Sequence, residues 1–149
     1  MDKKIVAFVS DHAAVDLKNK LVAYIEELGY QAVDLGPVDE SQKVSYSLQG
    51  HKLAKYVKEN DVNFGIGLCG TGLGISYALN RHNGIRAARV ASVEDAELAK
   101  LHNNANILVF GGRQVSFEQA KTMVDKYIAT NYEGGRHQQR IDDIEHFED

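Results

Sequence analysis

Apolar positions along the chain alternate between two kinds of spacing. Short apolar runs typical of buried strands cover residues 5–9, 31–35, 64–68, 85–90 and 107–110. Apolar residues at helical spacing cover residues 14–28, 47–58, 73–81, 93–102 and 117–130. Strands that alternate with helices of this length predict right-handed crossovers and a parallel sheet with helices on both faces. The pattern therefore predicts an α/β fold, a three-layer α/β/α sandwich around a five-stranded parallel, Rossmann-like sheet.

Length and composition narrow the class of protein. The chain has 149 residues, 44% of them hydrophobic and 26% charged, which suits a single globular domain over residues 1–149. The formal net charge of −4 argues against nucleic-acid binding, which favours a basic surface. No apolar run approaches the roughly 18 residues of a membrane-spanning helix. A single cysteine excludes an intrachain disulfide and agrees with a reducing compartment, so we expect a cytoplasmic protein.

The glycine-rich stretch from Gly65 to Gly74 is the most informative segment, because it holds five glycines around the only cysteine, Cys69. It follows a predicted strand and leads into a predicted helix. Such a turn aims several backbone N–H groups and the positive end of the helix dipole at one point, where they favour an anion. The same groups favour the thiolate form of a cysteine. We therefore predict that the stretch binds a phosphate or a developing oxyanion and that Cys69 takes part in the chemistry.

Polar or glycine-rich segments also follow two other predicted strands. Ser10, Asp11 and His12 come after the first strand, and Gly111-Gly112-Arg113 comes after the fifth. In open parallel sheets, ligands bind beyond the carboxyl ends of the strands. The sequence therefore predicts one site at this edge of the sheet.

The glycine-rich stretch has alternative interpretations. Residues 65–70 fit the dinucleotide pattern G-x-G-x-x-G, and Glu94 and Asp95 follow about twenty residues later, where a ribose-binding acid would stand. Two of the glycines lie inside the strand, however, which argues against a nicotinamide cofactor. No Lys-Ser/Thr pair follows the glycines, so a P-loop is excluded. A Cys-His hydrolase stays open, because the sequence does not tell whether a thiol and an imidazole are in contact.

Other polar residues each have a structural and a functional interpretation. Asp11 suits a helix cap as well as ligand binding. His102 closes the fourth predicted helix, where it would interact with the helix dipole or take part in chemistry. Arg136 and Arg140 would share one face of a helical tail, as a solvated basic segment or as a phosphate grip. The six histidines are scattered without a recognised ligand spacing, so no metal site is predicted.

Five sequence blocks carry a family resemblance: residues 10–13, 68–74, 84–87, 101–106 and 133–140. In this order and spacing they resemble the type B ribose-5-phosphate isomerases, whose wider family includes galactose-6-phosphate and allose-6-phosphate isomerases. The match runs from Ile5 to about Ile141, and the five blocks together are specific where each alone is weak. The resemblance implies an aldose–ketose isomerase of phosphorylated sugars that works through an enediolate without a metal or organic cofactor.

The resemblance also implies roles for individual residues. Cys69 corresponds to the catalytic base, and His102 to the residue that helps to open the sugar ring. The enediolate oxygen would be held by Thr71 and the backbone N–H groups of Gly70, Gly72, Leu73 and Gly74. Asp11 and Asn103 would contact sugar hydroxyls. The groups around the phosphate would be His12, Arg113, Arg136 and Arg140.

One segment departs from the family pattern and leaves the substrate open. Where relatives often have Asp-Tyr-Pro-x-Tyr-Ala, this chain has Ser45-Tyr-Ser-Leu-Gln-Gly50, which retains Tyr46 in the sugar pocket but not the acid or the proline. Ribose 5-phosphate to ribulose 5-phosphate is the leading reaction, and a hexose 6-phosphate is the alternative. A non-catalytic sugar-phosphate binding module is a third interpretation.

The resemblance further implies an assembly. Family members are homodimers or dimers of dimers whose sites are shared between subunits, and galactose-6-phosphate isomerases use two related kinds of subunit. Some of the predicted site residues are therefore expected to act in the partner's site. The acidic end from Asp142 is expected to be a solvated tail or a subunit contact.

Overall fold

The structure, a computed structural model that describes residues 4–148, follows the predicted alternation of strands and helices. The strands are β1 (Ile5–Ser10), β2 (Gln31–Asp34), β3 (Phe64–Cys69), β4 (Ala87–Arg89) and β5 (Ile107–Gly111). The helices are α1 (Val15–Glu27), α2 (Tyr46–Glu59), α3 (Leu73–Asn80), α4 (Val93–Leu101), α5 (Phe117–Ala129) and α6 (Arg136–Glu145). A 3-10 turn, His12–Ala14, precedes α1. Among the helices of residues 4–148, none combines the length and the apolar character that crossing a membrane requires.

Within the described residues, the five strands form one parallel sheet in the order β2-β1-β3-β5-β4. All residues of β3 and β5 are buried, as expected for inner strands with helices on both faces. From β1 the sheet extends to β2 on one side and to β3 on the other. The carboxyl ends of β1 and β3 therefore flank the switch point where ligands bind in doubly wound sheets.

Side chains of successive strand residues enter two separate cores, because they point to opposite faces of the sheet. Val6 and Phe8 pack with residues of α1, α4 and α5 in one core. Ala7 and Val9 pack with residues of α2 and α3, such as Leu53, in the other. The predicted three-layer α/β/α sandwich with a five-stranded parallel sheet is confirmed.

The main departure from the predicted elements is α6, which is not among the five helices predicted from apolar spacing; it confirms that Arg136 and Arg140 lie on a helix. Its pattern is weak because only His137 and Ile141 of this helix are buried. The acidic end is not simply a solvated tail, since α6 continues through Asp142 to Glu145. A subunit contact there, the other expectation, stays a prediction. The carboxylate of Glu145 accepts hydrogen bonds from Arg86 Nη1 at 2.6 Å and from the Gly84 backbone at 2.7 Å. That part of the acidic end is therefore a folded helix anchored to the body of the protein; Asp149 lies outside the described residues.

Candidate active site

The turn between β3 and α3 surrounds the sulfur of Cys69 with backbone. Cys69 is the last residue of β3 and is 3% exposed. The backbone N–H of Gly72 donates a hydrogen bond to Cys69 Sγ over 3.2 Å. The next residue, Leu73, begins α3, so the thiol lies beside the positive end of a helix. This confirms the predicted arrangement of strand, glycine-rich turn and helix around the cysteine.

Glycines in this turn let other groups approach the backbone closely. A Cβ at Gly72 would lie 3.1 Å from the backbone nitrogen of Gly111, and the φ of Gly72 is +80°, which disfavours other residues. A Cβ at Gly70 would lie 2.9 Å from Arg113 Nη1. A methyl group at Gly74 would overlap the ring of Tyr46. The turn therefore has Arg113 on one side and Tyr46 on the other.

The polar ends of β1 and β5 flank the turn, as predicted. Ser10 pairs with Leu68 and Cys69 with Gly111 in the register of the sheet. The backbone N–H of Asp11 donates to the carbonyl of Leu68 over 3.0 Å, which fixes Asp11 beside the end of β3. Its Oδ1 accepts a hydrogen bond from the Ala13 backbone over 3.0 Å, so Asp11 is a cap, as one interpretation predicted.

We call this group the carboxyl-edge site, comprising Asp11, His12, Tyr46, Cys69, Gly70, Thr71, Gly72, Leu73, Gly74 and Arg113. His12 is partly buried, with Nδ1 3.4 Å from the carbonyl oxygen of Val44. Thr71 is exposed, and its Oγ1 accepts a hydrogen bond from the Leu73 backbone over 3.2 Å. The exposed hydroxyl of Thr71 and the thiol of Cys69 thus stand at the same helix N-terminus.

Arg89 is a residue of this edge that the sequence interpretation missed. Its Nε donates to the carbonyl oxygen of Thr71 over 2.8 Å, which supports the turn from β4. The only signal was its position at the end of the fourth strand, and nothing in the local pattern connects it with Thr71. It is a contact between segments distant in sequence, so only the fold reveals it.

The remaining predicted site residues lie at the other edge of the sheet. His102 and Asn103 follow α4, which runs back from the carboxyl end of β4 to the amino end of β5. The backbone N–H of Glu133 donates to the Leu101 carbonyl over 2.9 Å, which holds the segment before α6 against the end of α4. This brings Arg136 and Arg140 of α6 to the same edge. We call His102, Asn103, Arg136 and Arg140 the amino-edge cluster.

The sheet separates these two groups in one chain. A strand rises about 3.3 Å per residue, so the ends of a six-residue strand such as β3 lie roughly 16 Å apart. A thiol at one edge and an imidazole at the other cannot share a proton within one chain. The arrangement therefore excludes His102 of the same chain as the imidazole partner of the Cys69 thiol.

The amino-edge cluster also contains a carboxylate between two imidazoles. Glu133 Oε2 lies 3.8 Å from His102 Nε2 and 3.7 Å from His137 Nε2. The ligand atoms of these three residues lie within 4.8 Å of one another, a grouping that the scattered histidines of the sequence did not predict. Burial lowers the pKa of His137, and so do Arg136, His102 and Arg140; together they outweigh the opposite effect of Glu133.

Comparison with known proteins now decides the family. The model of the ribose/galactose isomerase family matches residues 6–144. The chain belongs to this family. This confirms the resemblance found in the five sequence blocks.

Individual relatives match over nearly their whole lengths. Ribose-5-phosphate isomerase B of Escherichia coli is 41% identical over 141 residues, covering 95% of this chain and 94% of that protein. The crystal structure of a ribose 5-phosphate isomerase from Thermotoga maritima is 43% identical, with a TM-score of 0.92, and covers 97% of this chain and 99% of that one. The type B enzyme of Trypanosoma brucei has a TM-score of 0.91 at 31% identity, over 97% of this chain and 98% of that one.

Proposed function

We propose that this protein interconverts ribose 5-phosphate and ribulose 5-phosphate through an enediolate, without a cofactor. The observation that carries the proposal is the thiol of Cys69 within a turn of backbone N–H groups at the switch point of the sheet. A base and an oxyanion-stabilising turn at one point are what proton transfer next to a carbonyl requires. The names and overall similarity of the relatives support the same reaction.

In the proposed mechanism, Cys69 as thiolate removes the proton from C2 of the open-chain aldose and returns it to C1. A second proton moves from the oxygen on C2 to the oxygen on C1, so the reaction is balanced without an oxidant or reductant. Negative charge develops on the oxygen of the enediolate. Thr71 and the N–H groups of Gly70, Gly72, Leu73 and Gly74 stabilise that charge, as donors at a helix N-terminus do.

Other residues hold the sugar phosphate in register with the thiol. In the proposal, Asp11 and Asn103 contact sugar hydroxyls. His12, Arg113, Arg136 and Arg140 bind the phosphate, for which guanidinium groups are suited by their paired donors. His102 assists ring opening. Binding energy gained at the phosphate, remote from the reacting carbons, keeps C1 and C2 near the base.

The proposed site is shared between two copies of the chain, because its residues occupy opposite edges of the sheet in one copy. A second copy whose amino-edge cluster faces the carboxyl-edge site would complete the set. Exposed apolar side chains beside the glycine-rich turn support an interface there: Leu73 is 41% and Tyr77 63% exposed. Burying such side chains favours association. We therefore propose a homodimer or a dimer of dimers. The single cysteine, which suits a reducing compartment, supports a location in the cytoplasm.

Isomerisation of a hexose 6-phosphate is the alternative reaction. The segment at the start of α2, which departs from the family pattern, supports this alternative. Tyr46 is 47% exposed and lies over Gly74, so its ring forms one wall of the carboxyl-edge site. Ser45 caps α2 through its Oγ, which accepts hydrogen bonds from the backbones of Ser47 and Leu48. In sequence, this part of the wall has neither the acid nor the proline that many relatives have. The chain length of the sugar that the site accepts is therefore the property to measure.

Proton NMR in D₂O tests the function and the substrate together. The purified protein receives ribose 5-phosphate, allose 6-phosphate or galactose 6-phosphate in separate samples. We expect ketose formation with deuterium at C1, fastest with ribose 5-phosphate. Faster turnover of a hexose phosphate would select the alternative. Binding of all three, seen as a rise in Tm, without turnover or exchange would instead indicate a non-catalytic module.

A further inference from the structure

The carboxylate of Glu133 lies between the groups proposed for two different tasks. On one side, Oε2 is 3.8 Å from His102 Nε2, the proposed ring-opening group. On the other side, Oε1 is 3.4 Å from Nη1 of Arg136, a proposed phosphate ligand. The Glu133 backbone is itself fixed, since its N–H donates to the carbonyl of Leu101, the residue before His102. Glu133 thus touches both functional parts of the amino-edge cluster.

His137 completes the arrangement behind His102. The two imidazole rings stack with their centroids 4.3 Å apart and their planes 16° from parallel. His137 is 7% exposed, and its Nε2 is buried without a hydrogen-bond partner among residues 4–148. That nitrogen lies 3.7 Å from Glu133 Oε2. Buried polar atoms are nearly always satisfied, so this nitrogen calls for an explanation, and the nearest charged group to account for it is the carboxylate of Glu133.

We propose that Glu133 and His137 position the imidazole of His102 for ring opening. His137 fixes the plane of the His102 ring by stacking on it, and the carboxylate of Glu133, beside Nε2 of His102, fixes the rotation of the ring within that plane. This inference rests on the proposed function. Glu133 also links ring opening to phosphate binding, because the same carboxylate contacts Arg136. Neither residue touches the reacting carbons, so both are positioning residues.

The step that depends on this arrangement is cleavage of the bond between C1 and the ring oxygen of the cyclic sugar. The ring oxygen gains a proton, and the hydroxyl on C1 loses one to become the carbonyl. An imidazole that delivers or removes one of these protons must keep its nitrogen within hydrogen-bond reach of the sugar oxygen. A stacked ring that is also directed by a carboxylate keeps that orientation before substrate arrives.

The same three residues have the composition of a metal site, since two histidines and a carboxylate hold zinc in many proteins. The local charge opposes that interpretation. Arg136 is paired with the carboxylate, and both Arg136 and Arg140 lower the pKa of His137, as a positive field does. A cation would enter against two guanidinium groups, whereas a phosphate would be attracted. We therefore assign the cluster to positioning.

Two rates measured on the same preparation test the proposal. The first is turnover of ribose 5-phosphate, which needs ring opening. The second is exchange of the C1 proton of ribulose 5-phosphate in D₂O, which starts from an acyclic ketose and bypasses that step. Their ratio does not depend on how much of a variant is folded. A residue with a purely structural role would leave the ratio unchanged.

The decisive variant is Glu133→Gln, which keeps the shape of the side chain but removes its charge. We expect turnover of ribose 5-phosphate to fall on the order of 10-fold, as for a misplaced catalytic group, while the exchange rate changes by less than about 2-fold. His137→Ala should change the ratio in the same direction, and His137→Phe should restore part of it by keeping a flat ring. Glu97→Gln is the matched control, because Glu97 is also half-exposed and paired with a cation, Lys126, at 2.8 Å.

Each outcome has a distinct meaning. A parallel fall of both rates in Glu133→Gln, or a change of the ratio as large in Glu97→Gln, would overturn the positioning role. Loss of wild-type turnover on treatment with EDTA, restored by Zn²⁺, would replace it by a metal site. An absence of both rates in the wild-type protein would overturn the proposed function itself, together with the inference that rests on it.

Discussion

The backbone nitrogen of Gly72 lies 3.2 Å from the sulfur of Cys69 and donates its N–H to it. The same N–H belongs to the turn from which α3 starts, so the group that helps to begin the helix also contacts the thiol. Backbone donors at a helix N-terminus stabilise negative charge on sulfur and on oxygen alike. One local structure therefore serves both the base and the oxyanion of the proposed reaction.

Replacing the thiol tests its role as the base. We expect Cys69→Ala to lower turnover of ribose 5-phosphate by roughly 10²- to 10⁴-fold, the usual contribution of a positioned acid or base. Cys69→Ser should be similarly impaired, because a hydroxyl is a much weaker base than a thiolate at neutral pH. Retention of the Tm increase that ribose 5-phosphate gives to the wild-type protein would show that binding is intact. Full turnover in Cys69→Ala would assign the base elsewhere.

The backbone of the turn is tested by Gly72→Ala. The φ of +80° and the Cβ position 3.1 Å from the Gly111 nitrogen both oppose a side chain, and such strain costs about 1–3 kcal/mol. We expect lower stability in urea unfolding and a large loss of activity, because the N–H of residue 72 would move relative to Cys69. Gly29→Ala is the control: its φ is +96° with nothing within 4 Å of a Cβ. It should lose stability without losing activity.

Mixing two inactive variants tests whether the active site is shared. We expect Cys69→Ala and His102→Ala chains to be almost inactive alone. When the two are unfolded together and refolded as random dimers, about a quarter of the sites would have both wild-type residues if each site uses two subunits. Activity that stays at the level of the separate variants would show that each chain works alone.

Arg86 anchors the amino-edge cluster to the body of the protein. Its guanidinium donates to the carbonyl oxygens of Asn103 at 3.0 Å and Asn104 at 3.1 Å and to Glu145 at 2.6 Å, thereby joining the loop after α4 to α6. Hydrogen bonds from a charged group contribute about 1.5–3 kcal/mol, so Arg86→Met should lower the free energy of unfolding by about 2 kcal/mol or more.

The Arg86→Met variant should also raise the KM for ribose 5-phosphate, since Asn103 and the arginines of α6 would no longer share an anchor. Lys126→Met removes the more exposed pair with Glu97 and should cost less than about 1 kcal/mol without changing KM. An equal loss in both variants would mean that the Arg86 network is no more than a surface ion pair.

The buried phenol of Tyr127 predicts sensitivity to alkaline pH. Its hydroxyl donates to the Ala105 carbonyl over 2.5 Å, and burial raises its pKa. The unfolded chain would ionise near the ordinary tyrosine value of about 10 while the folded protein would not, so stability from this group is present below that pH and is lost above it.

Thermal unfolding from pH 8 to 11 checks this expectation. Tyr127→Phe should cost about 1 kcal/mol at pH 8, the usual value of one hydrogen bond, and its Tm should then fall less steeply than that of the wild type above pH 10. Tyr24, whose pKa is raised to about 12 chiefly by its hydrogen bond with Asp125, contributes in the same direction. Parallel curves for the two proteins would contradict ionisation of Tyr127 as a cause.

The sequence by itself determined the type and order of the elements and one edge of the site. Short apolar runs and helical spacing of apolar residues are local properties, so they specified the five strands and the crossover helices. Parallel strands end at a common edge, so Asp11, Cys69 and Arg113 could be placed together before any coordinates. Their positions at or just after the ends of strands were enough to predict that they share one site.

Only the tertiary structure decided how the remaining residues are grouped. The resemblance assigned His102 to the same site as Cys69 and expected some site residues to act in the partner's site, without telling which. Within one chain α4 runs antiparallel to the strands and carries His102 to the opposite edge of the sheet. The contacts of Glu133 with His102 and of Arg86 with Glu145 join segments far apart in sequence. Such contacts depend on how the layers pack, because no local period of apolar residues records which distant side chains meet.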